Sequence, residues 1–405
     1  FTVLISLGIE LSRELFSKMK KQSLRRYDID WLRIILFMLL VVYHYLYFSP
    51  SALPSRKNLI FVLKILHQWR LAALFVISGI GTAFAFQRRT WQEYLKERSI
   101  RLLVPFIFGV YILGGGIESP LATTKHLITI FPKPNVVGHF WFLYNLMIYS
   151  LILTPLFEYV SRQPDSFLIR SLETLFEKFH GFGILVLPSV LLALVAIPLK
   201  PWAVGKNGSW WEFPWYLLFF LFGYFIKIIK EYFFVFLEKK RAILTLLVPV
   251  FILFFYLSEK IGRFPDMWYG GWVKNGAPVF SITATVGTFV QAFHAWIWIL
   301  FIFSWAAKLL NKPSRILTYL NQAIYPIFIV HQPLTFLVIF LLRGIARDKF
   351  FSDFILGPFL VLTSSFLIFE VVKQTHIARF LFGIKSIAAE LNEEMKTGIS
   401  QVKTS

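Results

Sequence analysis

The first apolar segment of the chain carries two polar side chains that could do chemistry, Arg33 and His44. Eleven helical steps of about 100° each return to nearly the same face, so both side chains point the same way, about 16 Å apart along the axis. Together they would line a polar track from the cytoplasmic surface towards mid-membrane, and imidazole is the usual general base near neutral pH. Two structural alternatives remain: Arg33 pairs with Asp30 as an interfacial anchor, and His44 bonds to neighbouring tyrosines.

A second set of cations follows the next apolar run. Arg98 and Arg101 lie three residues apart on one helical face. Guanidinium groups bind phosphate oxygens in bidentate fashion, so this pair predicts docking of a nucleotide-bearing donor, unless it is an ordinary basic loop. The preceding run contains Ser78 among the small residues of segment 75–82, which favours close helix packing or a polar contact in the site.

Two further histidines lie in apolar runs, where an ionisable side chain is costly. His139 precedes Trp141 at the start of the fourth run, and His331 follows Tyr325 in the ninth. Prolines at 326 and 333 flank His331, and we expect them to break this helix and to expose its carbonyls to a cavity. His331, Tyr325, His139 and Trp141 are candidates for acceptor binding or oxyanion stabilisation, whereas His294 is a weaker candidate.

The composition indicates which elements position these residues. The chain has 405 residues, 57% hydrophobic and only 16% charged, which excludes soluble and disordered proteins. Ten apolar runs are long enough to cross a bilayer, so we predict an all-α, polytopic membrane protein with about ten transmembrane helices. The runs are 31–48, 68–86, 102–117, 139–160, 181–199, 215–231, 242–258, 279–306, 318–342 and 352–372.

The distribution of basic residues predicts the orientation. With both termini inside, the cytoplasmic stretches hold 27 Lys and Arg residues and the outer stretches 14. The positive-inside rule therefore favours N-in and C-in. We divide the chain into an interfacial or cytoplasmic segment (1–26), a transmembrane domain (27–375) and a cytoplasmic tail (376–405), which leaves no room for a soluble catalytic domain.

Several kinds of site are disfavoured. The formal charge of +20 is spread over short loops, so we expect no nucleic-acid partner. Cysteine is absent, and no helix carries His and carboxylate residues at metal-ligand spacing, so we expect no metal site. Carboxylates are missing from the middle of the runs, which weakens the alternative of a proton-driven transporter or flippase for a lipid-linked or anionic sugar. A third alternative is a haem protein with His44 and His331 as axial ligands.

In combination the motifs resemble the acyltransferase family 3 membrane proteins, many of which O-acylate cell-surface polysaccharides. The resemblance covers most of the chain and is carried by segments 26–33, 75–79, 96–105, 138–143 and 325–333, together with His44. Within that family the sequence most resembles the subgroup of periplasmic glucan succinyltransferases, and the resemblance implies that the acyl group is acetyl or succinyl.

The resemblance implies that the bundle takes an acyl group from cytoplasmic acyl-coenzyme A and delivers it to a glycan hydroxyl on the outer side. It implies catalytic roles for His44 and Arg33, and the geometry suggests acyl-coenzyme A binding by Arg98, Arg101 and Ser78. No permanently bound cofactor is expected. The expected partners are the lipid bilayer, acyl-coenzyme A and a glycan or a separate extracytoplasmic acyl-accepting protein, with a homodimer as a further candidate and the inner membrane as the location.

Overall fold

A computed structural model of the protein describes residues 26–49, 56–113, 138–163, 166–178, 182–203, 210–263, 270–274, 277–342 and 349–385. The predicted segment 1–26, apart from Arg26, and the tail beyond residue 385 lie outside the described residues. The beginning of the predicted tail, residues 376–385, is described and packs on the bundle, where Phe382 contacts Phe108.

Most of the described residues are helical. The long helices are α1 (Tyr27–Phe48), α2 (Arg56–Phe86), α5 (Trp141–Arg162), α7 (Phe182–Ala203), α8 (Glu212–Ile228), α9 (Lys230–Lys260), α10 (Ile282–Leu309), α11 (Arg315–Leu342) and α13 (Gly357–Val372). The short helices are α3 (Trp91–Arg98), α4 (Val104–Tyr111), α6 (Phe167–Lys178), α12 (Lys349–Phe351) and α14 (His376–Leu381). Two π-helical turns (Ser99–Leu103 and Ser352–Leu356), two 3-10 turns (Gly138–Phe140 and Gly270–Trp272) and an antiparallel pair, β1 (Val273–Lys274) with β2 (Ala277–Pro278), complete the elements.

The chain is an all-α, polytopic membrane protein. Within the described ranges, eight helices are long and apolar enough to span a bilayer, and they confirm eight of the ten predicted spans. The sixth predicted span corresponds to α8, whose 17 residues are near the lower limit for crossing. The third corresponds to α4 and the π-helical turn before it, and residues 114–117 of that prediction lie outside the described residues.

The second helix begins twelve residues earlier than predicted. The apolar run predicts a start at residue 68, but α2 starts at Arg56. Polar residues of the first turns, such as Lys57 and Lys64, extend the helix although they interrupt the apolar pattern. As a result Arg70, which is two residues after the predicted start, lies in the middle of a helix and is buried.

The predicted break of the ninth span is wrong. Helix α11 runs without interruption from Arg315 to Leu342, with Pro326 and Pro333 inside it. A proline removes one backbone hydrogen bond, but within a membrane bundle the neighbouring helices and side chains can hold such a helix together. His331 therefore lies on a continuous helix packed against α1 and α13.

Close packing of two helices fixes the position of α2. Gly79 faces Gly223 of α8, and a Cβ atom at either glycine would overlap the backbone carbonyl of the opposite helix, at Phe220 or Val76. The small residues of segment 75–82 thus let two backbones approach each other, as is common between membrane helices. Helix α10 packs on the other side and touches α1, α2, α7 and α9.

This contact predicts a destabilising substitution. Gly79→Ala is expected to lower the thermal unfolding temperature of the detergent-purified protein, because overpacking of a tight interface typically costs about 1–3 kcal/mol. Gly81→Ala is the matched control: a Cβ atom there meets nothing within 4 Å, and alanine is the better helix former. Equal unfolding temperatures for the two variants would contradict the assigned contact.

Candidate active site

Three histidines from three elements meet inside the bundle. His44 of α1 and His331 of α11 are stacked, with ring centroids 5.1 Å apart and planes inclined by 11°. His139, in the 3-10 turn before α5, lies edge-on to His331 at 4.8 Å. We call these three residues the histidine cluster; His139 and His331 are buried, and His44 is half-buried.

Hydrogen bonds within this cluster fix the tautomer of His44. His331 Nδ1 lies 2.7 Å from the carbonyl oxygen of Phe328, and since a carbonyl only accepts, this nitrogen carries the hydrogen. In the neutral ring, Nε2 of His331 is then an acceptor. It lies 2.8 Å from Nδ1 of His44, which must donate. The remaining nitrogen of His44, Nε2, therefore holds a lone pair.

His139 has different surroundings. Both of its ring nitrogens are buried and neither has a partner in good hydrogen-bond geometry, although the backbone of Phe328 and Ile329 and the side chain of Gln332 are polar neighbours. The ring contacts Phe140 and Phe328 as well as His331. Trp141 follows in the chain but faces Phe75 and Tyr216, so the structure places it next to the cluster rather than in it.

A second cluster consists of Arg33, Arg98 and Arg101, and we call it the arginine cluster. Arg33 interacts electrostatically with both other arginines and with Tyr325. Arg101 lies 6.0 Å from the centre of the Tyr325 ring and 3.3 Å from a carboxylate oxygen of Glu97. Arg33 also forms an ion pair with Asp30 at 2.9 Å, which is the alternative that the sequence leaves open for this residue.

Arg98 is held by neighbouring hydroxyl groups. Its Nη2 donates to Thr82 Oγ1 at 2.8 Å, and that hydroxyl donates to the carbonyl oxygen of Ser78 at 3.0 Å. Tyr94 lies beneath the guanidinium group, 5.3 Å from its centre, and donates to Ser150. Ser78 is thus connected to the arginine cluster through its backbone.

The two clusters lie at different depths along the same helices. Arg33 neighbours Tyr325, and His44 neighbours His331, so α1 and α11 run parallel and both candidate residues of α1 face α11. The rise of an α-helix gives a separation of about 16 Å between the levels of Arg33 and His44. The predicted site residues therefore divide into a cationic group near one end of the bundle and an imidazole group deeper within it.

One charged residue of this region is not among the predicted site residues. Arg70 of α2 is 1% exposed, and its guanidinium carbon lies 3.2 Å from the centre of the Tyr43 ring. It interacts electrostatically with His44, His67 and His331. The available sequence signal was its position inside the predicted second run, 68–86, where an ionisable side chain is costly. Two residues after the predicted start of that run, Arg70 resembles an ordinary interfacial residue.

Two other histidine assignments are resolved by the geometry. His294 is buried against Phe255 and Trp298, away from the histidine cluster.

Axial ligation of a haem iron by His44 and His331 does not fit the distance between their nitrogens. Two axial nitrogens, each about 2 Å from the metal between them, would be about 4 Å apart. Here the facing nitrogens are 2.8 Å apart and bonded directly to each other.

The membrane-spanning helices thus enclose a histidine cluster and a separate arginine cluster, and the protein is a polytopic membrane protein with polar groups inside its bundle. The family model described as "Acyltransferase domain" matches residues 26–370, and the chain belongs to this family, acyltransferase family 3. It is therefore a membrane acyltransferase.

Relatives named for glucan biosynthesis align with nearly the whole chain. Proteins called "Glucans biosynthesis protein C" from Escherichia coli O139:H28 (strain E24377A / ETEC) and Escherichia coli O157:H7 (strain EC4115 / EHEC) are each 22% identical to it over 404 residues. Each alignment covers 91% of this chain and 97% of the relative. No solved structure matches the chain.

Proposed function

We propose that the protein is an O-acyltransferase of the inner membrane that moves an acyl group, acetyl or succinyl, from cytoplasmic acyl-coenzyme A to a hydroxyl group of an extracytoplasmic glycan. The observation that carries this proposal is the hydrogen-bond chain from Phe328 through His331 to His44, which leaves a lone pair on Nε2 of His44. The name of the relatives, which refers to glucan biosynthesis, supports a glucan as the acceptor.

His44 acts as the general base. Its Nε2 takes the proton of the acceptor hydroxyl as the oxygen attacks the thioester carbonyl carbon. The tetrahedral intermediate then collapses, the C–S bond breaks, and the proton passes from His44 to the leaving sulfur. His331 acts as a positioning residue, because its Nε2 accepts from His44 Nδ1 and stabilises the imidazolium formed during the reaction.

His139 is the best-placed candidate to stabilise the oxyanion. Its two nitrogens are buried without a partner in good hydrogen-bond geometry, and its ring lies against His331. A neutral imidazole carries one N–H that can donate to a developing negative charge. Tyr325, also a sequence candidate for this role, lies with the arginine cluster instead.

The arginine cluster binds the nucleotide part of the donor. Arg33 lies within electrostatic range of Arg98 and Arg101, which makes this end of the bundle cationic, and diphosphate oxygens accept from guanidinium groups in bidentate geometry. The donor's acyl-bearing arm then extends along α1 over the 16 Å or so to His44. Asp30 and Glu97 form ion pairs with Arg33 and Arg101, whereas Arg98 donates to the Thr82 hydroxyl and lies over the Tyr94 ring, so Arg98 offers the most available charge.

Loss of one phosphate contact predicts a binding defect. Arg98→Ala is expected to raise KM for acyl-coenzyme A by about tenfold or more and to change kcat by less than about threefold, because a charge-assisted hydrogen bond contributes about 1.5–3 kcal/mol. Steady-state kinetics of the purified protein measure both values. Arg88→Ala, at an exposed arginine nearby in the chain, is the control and should match wild type. An unchanged KM in Arg98→Ala would contradict the phosphate role.

A further inference from the structure

An open cavity lies where the start of α1 meets the start of α11. Its volume of about 340 Å³ is within the range of small-molecule sites. The backbone N–H of Tyr27 donates to Oδ1 of Asn311 at 3.1 Å and thereby joins α1 to the segment before α11. The residues that line the cavity are Tyr27, Pro313, Ser314, Arg315, Leu317 and Thr318.

The lining combines a cation and hydroxyl groups with apolar surface. Arg315 is exposed and carries a planar fork of N–H donors, and Ser314 and Thr318 add two hydroxyl groups. Such donors bind phosphate oxygens. Tyr27 and Leu317 add an aromatic ring and an aliphatic side chain, which suit a flat heterocyclic base. A nucleoside with a phosphate on its sugar needs both kinds of contact.

The cavity lies in line with the two clusters of the candidate active site. Thr318 and Tyr325 are seven residues apart on α11, about 20° short of two full turns, so they share one face about 10.5 Å apart. On α1, Tyr27 precedes Arg33 by six residues, or about 9 Å. His44 follows Arg33 in the opposite direction. The order along both helices is therefore cavity, arginine cluster, histidine cluster.

We propose that this cavity binds the adenosine 3′-phosphate of the acyl donor, with Arg315 on the 3′-phosphate and Tyr27 beside the adenine. This proposal rests on the proposed function. Coenzyme A carries its groups in the order adenosine 3′-phosphate, diphosphate, flexible arm and thioester. The same order runs along α1 and α11 from the cavity through the arginine cluster to His44.

The covalent structure of the donor requires a nucleoside site next to the arginine cluster. The adenosine is joined directly to the diphosphate, so a donor whose diphosphate binds the arginine cluster places its adenosine beside that cluster. The cavity lies there, about two helical turns further towards the starts of α1 and α11.

A contact to the 3′-phosphate distinguishes the donor from other adenine nucleotides. ATP and ADP share the adenine and the diphosphate with coenzyme A but lack a phosphate at the 3′ position. The predicted orientation places the start of α1 on the cytoplasmic side, where these nucleotides compete for a cationic site. Arg315 thus provides selectivity that the arginine cluster cannot provide, because the arginine cluster binds the diphosphate that all of them share.

The test compares two donors that differ only in the 3′-phosphate: the acyl-coenzyme A that the protein turns over and the same thioester of dephospho-coenzyme A. Release of the free thiol is measured with the full chain in detergent. We expect KM of wild type to be about tenfold higher for the dephospho donor, the lower end for a hydrogen bond to a charged group, because Arg315 is exposed. The value of kcat should change by less than about twofold, since the reacting carbon is the same.

Variants locate the discrimination. Arg315→Gln should raise KM for the full donor about tenfold and leave KM for the dephospho donor unchanged, so the ratio falls to within about twofold. Arg88→Gln, at an exposed arginine outside the cavity lining, is the matched control and should keep the wild-type ratio. Arg98→Gln and Tyr27→Leu should each weaken both donors by the same factor, because both donors carry the diphosphate and the adenine.

The outcomes separate the two proposals. Equal KM of wild type for the two donors, or a tenfold ratio that persists in Arg315→Gln, would overturn the role of the cavity and leave the acyltransferase function intact. If Arg315→Gln fails to fold, the wild-type ratio decides. Absence of turnover with either donor, together with no stabilisation of the protein by free coenzyme A, would overturn the proposed function and with it the role of the cavity.

Discussion

Replacement of His44 by alanine is expected to lower the rate of acyl transfer by about 10²- to 10⁴-fold, the usual contribution of a general base. The reason is that Nε2 of His44 holds the lone pair that the hydrogen-bond chain through His331 leaves unoccupied. The other two histidines of the cluster cannot serve as the base in the same way. Both ring nitrogens of His331 are hydrogen-bonded, and His139 is buried. The measurement is turnover of acyl-coenzyme A by purified protein.

The control for this substitution is His376→Ala. His376 is an exposed histidine at the start of α14, and its loss should leave turnover at the wild-type value. Both variants should reach the membrane in wild-type amounts. Retention of more than about a tenth of wild-type turnover in His44→Ala would contradict the role of His44 as base, and loss of the folded protein would indicate a structural role instead.

The second large effect is expected at His331. His331→Leu removes the acceptor that holds Nδ1–H of His44, so the ring of His44 can rotate or change its tautomer and no longer presents Nε2. We expect kcat to fall by about 10²-fold with KM for acyl-coenzyme A nearly unchanged, since a group that orients the base affects the reaction rather than donor binding.

Rescue by a different side chain distinguishes orientation from packing. His331→Gln provides an amide oxygen that can accept the hydrogen bond from His44. Its kcat should therefore be at least about tenfold higher than the kcat of His331→Leu. The two variants have similar volumes, so a packing role would affect them alike. Equal activity of both variants would contradict the positioning role of His331.

The helical pattern predicted the relation between Arg33 and His44 because both lie on one helix. Eleven residues at helical geometry place two side chains on one face whatever surrounds them, and in the structure both face α11. The cost of ionisable groups in a bilayer likewise identified His139 and His331 as candidates. That these two residues meet His44 depends on how separate helices pack, which the sequence alone does not determine.

Arg70 shows where sequence reasoning failed. Apolar runs mark the part of a helix within the hydrocarbon core, but a helix continues through polar residues when its backbone hydrogen bonds are satisfied. Helix α2 does so from Arg56, so Arg70 lies in the middle of the helix and not at its start, where the apolar run 68–86 places it. The prolines of α11 caused the opposite error, because breaks were expected where a packed helix continues.

The central claim, transfer of an acyl group across the membrane by the bundle, is tested most directly in proteoliposomes that enclose a soluble glucan. Labelled succinyl- or acetyl-coenzyme A is added outside, and the enclosed glucan is recovered and analysed. We predict label on the glucan, with free coenzyme A released outside, for wild type but not for His44→Ala. Escape of unmodified glucan with no labelled ester formed would contradict an acyltransferase and indicate a transporter.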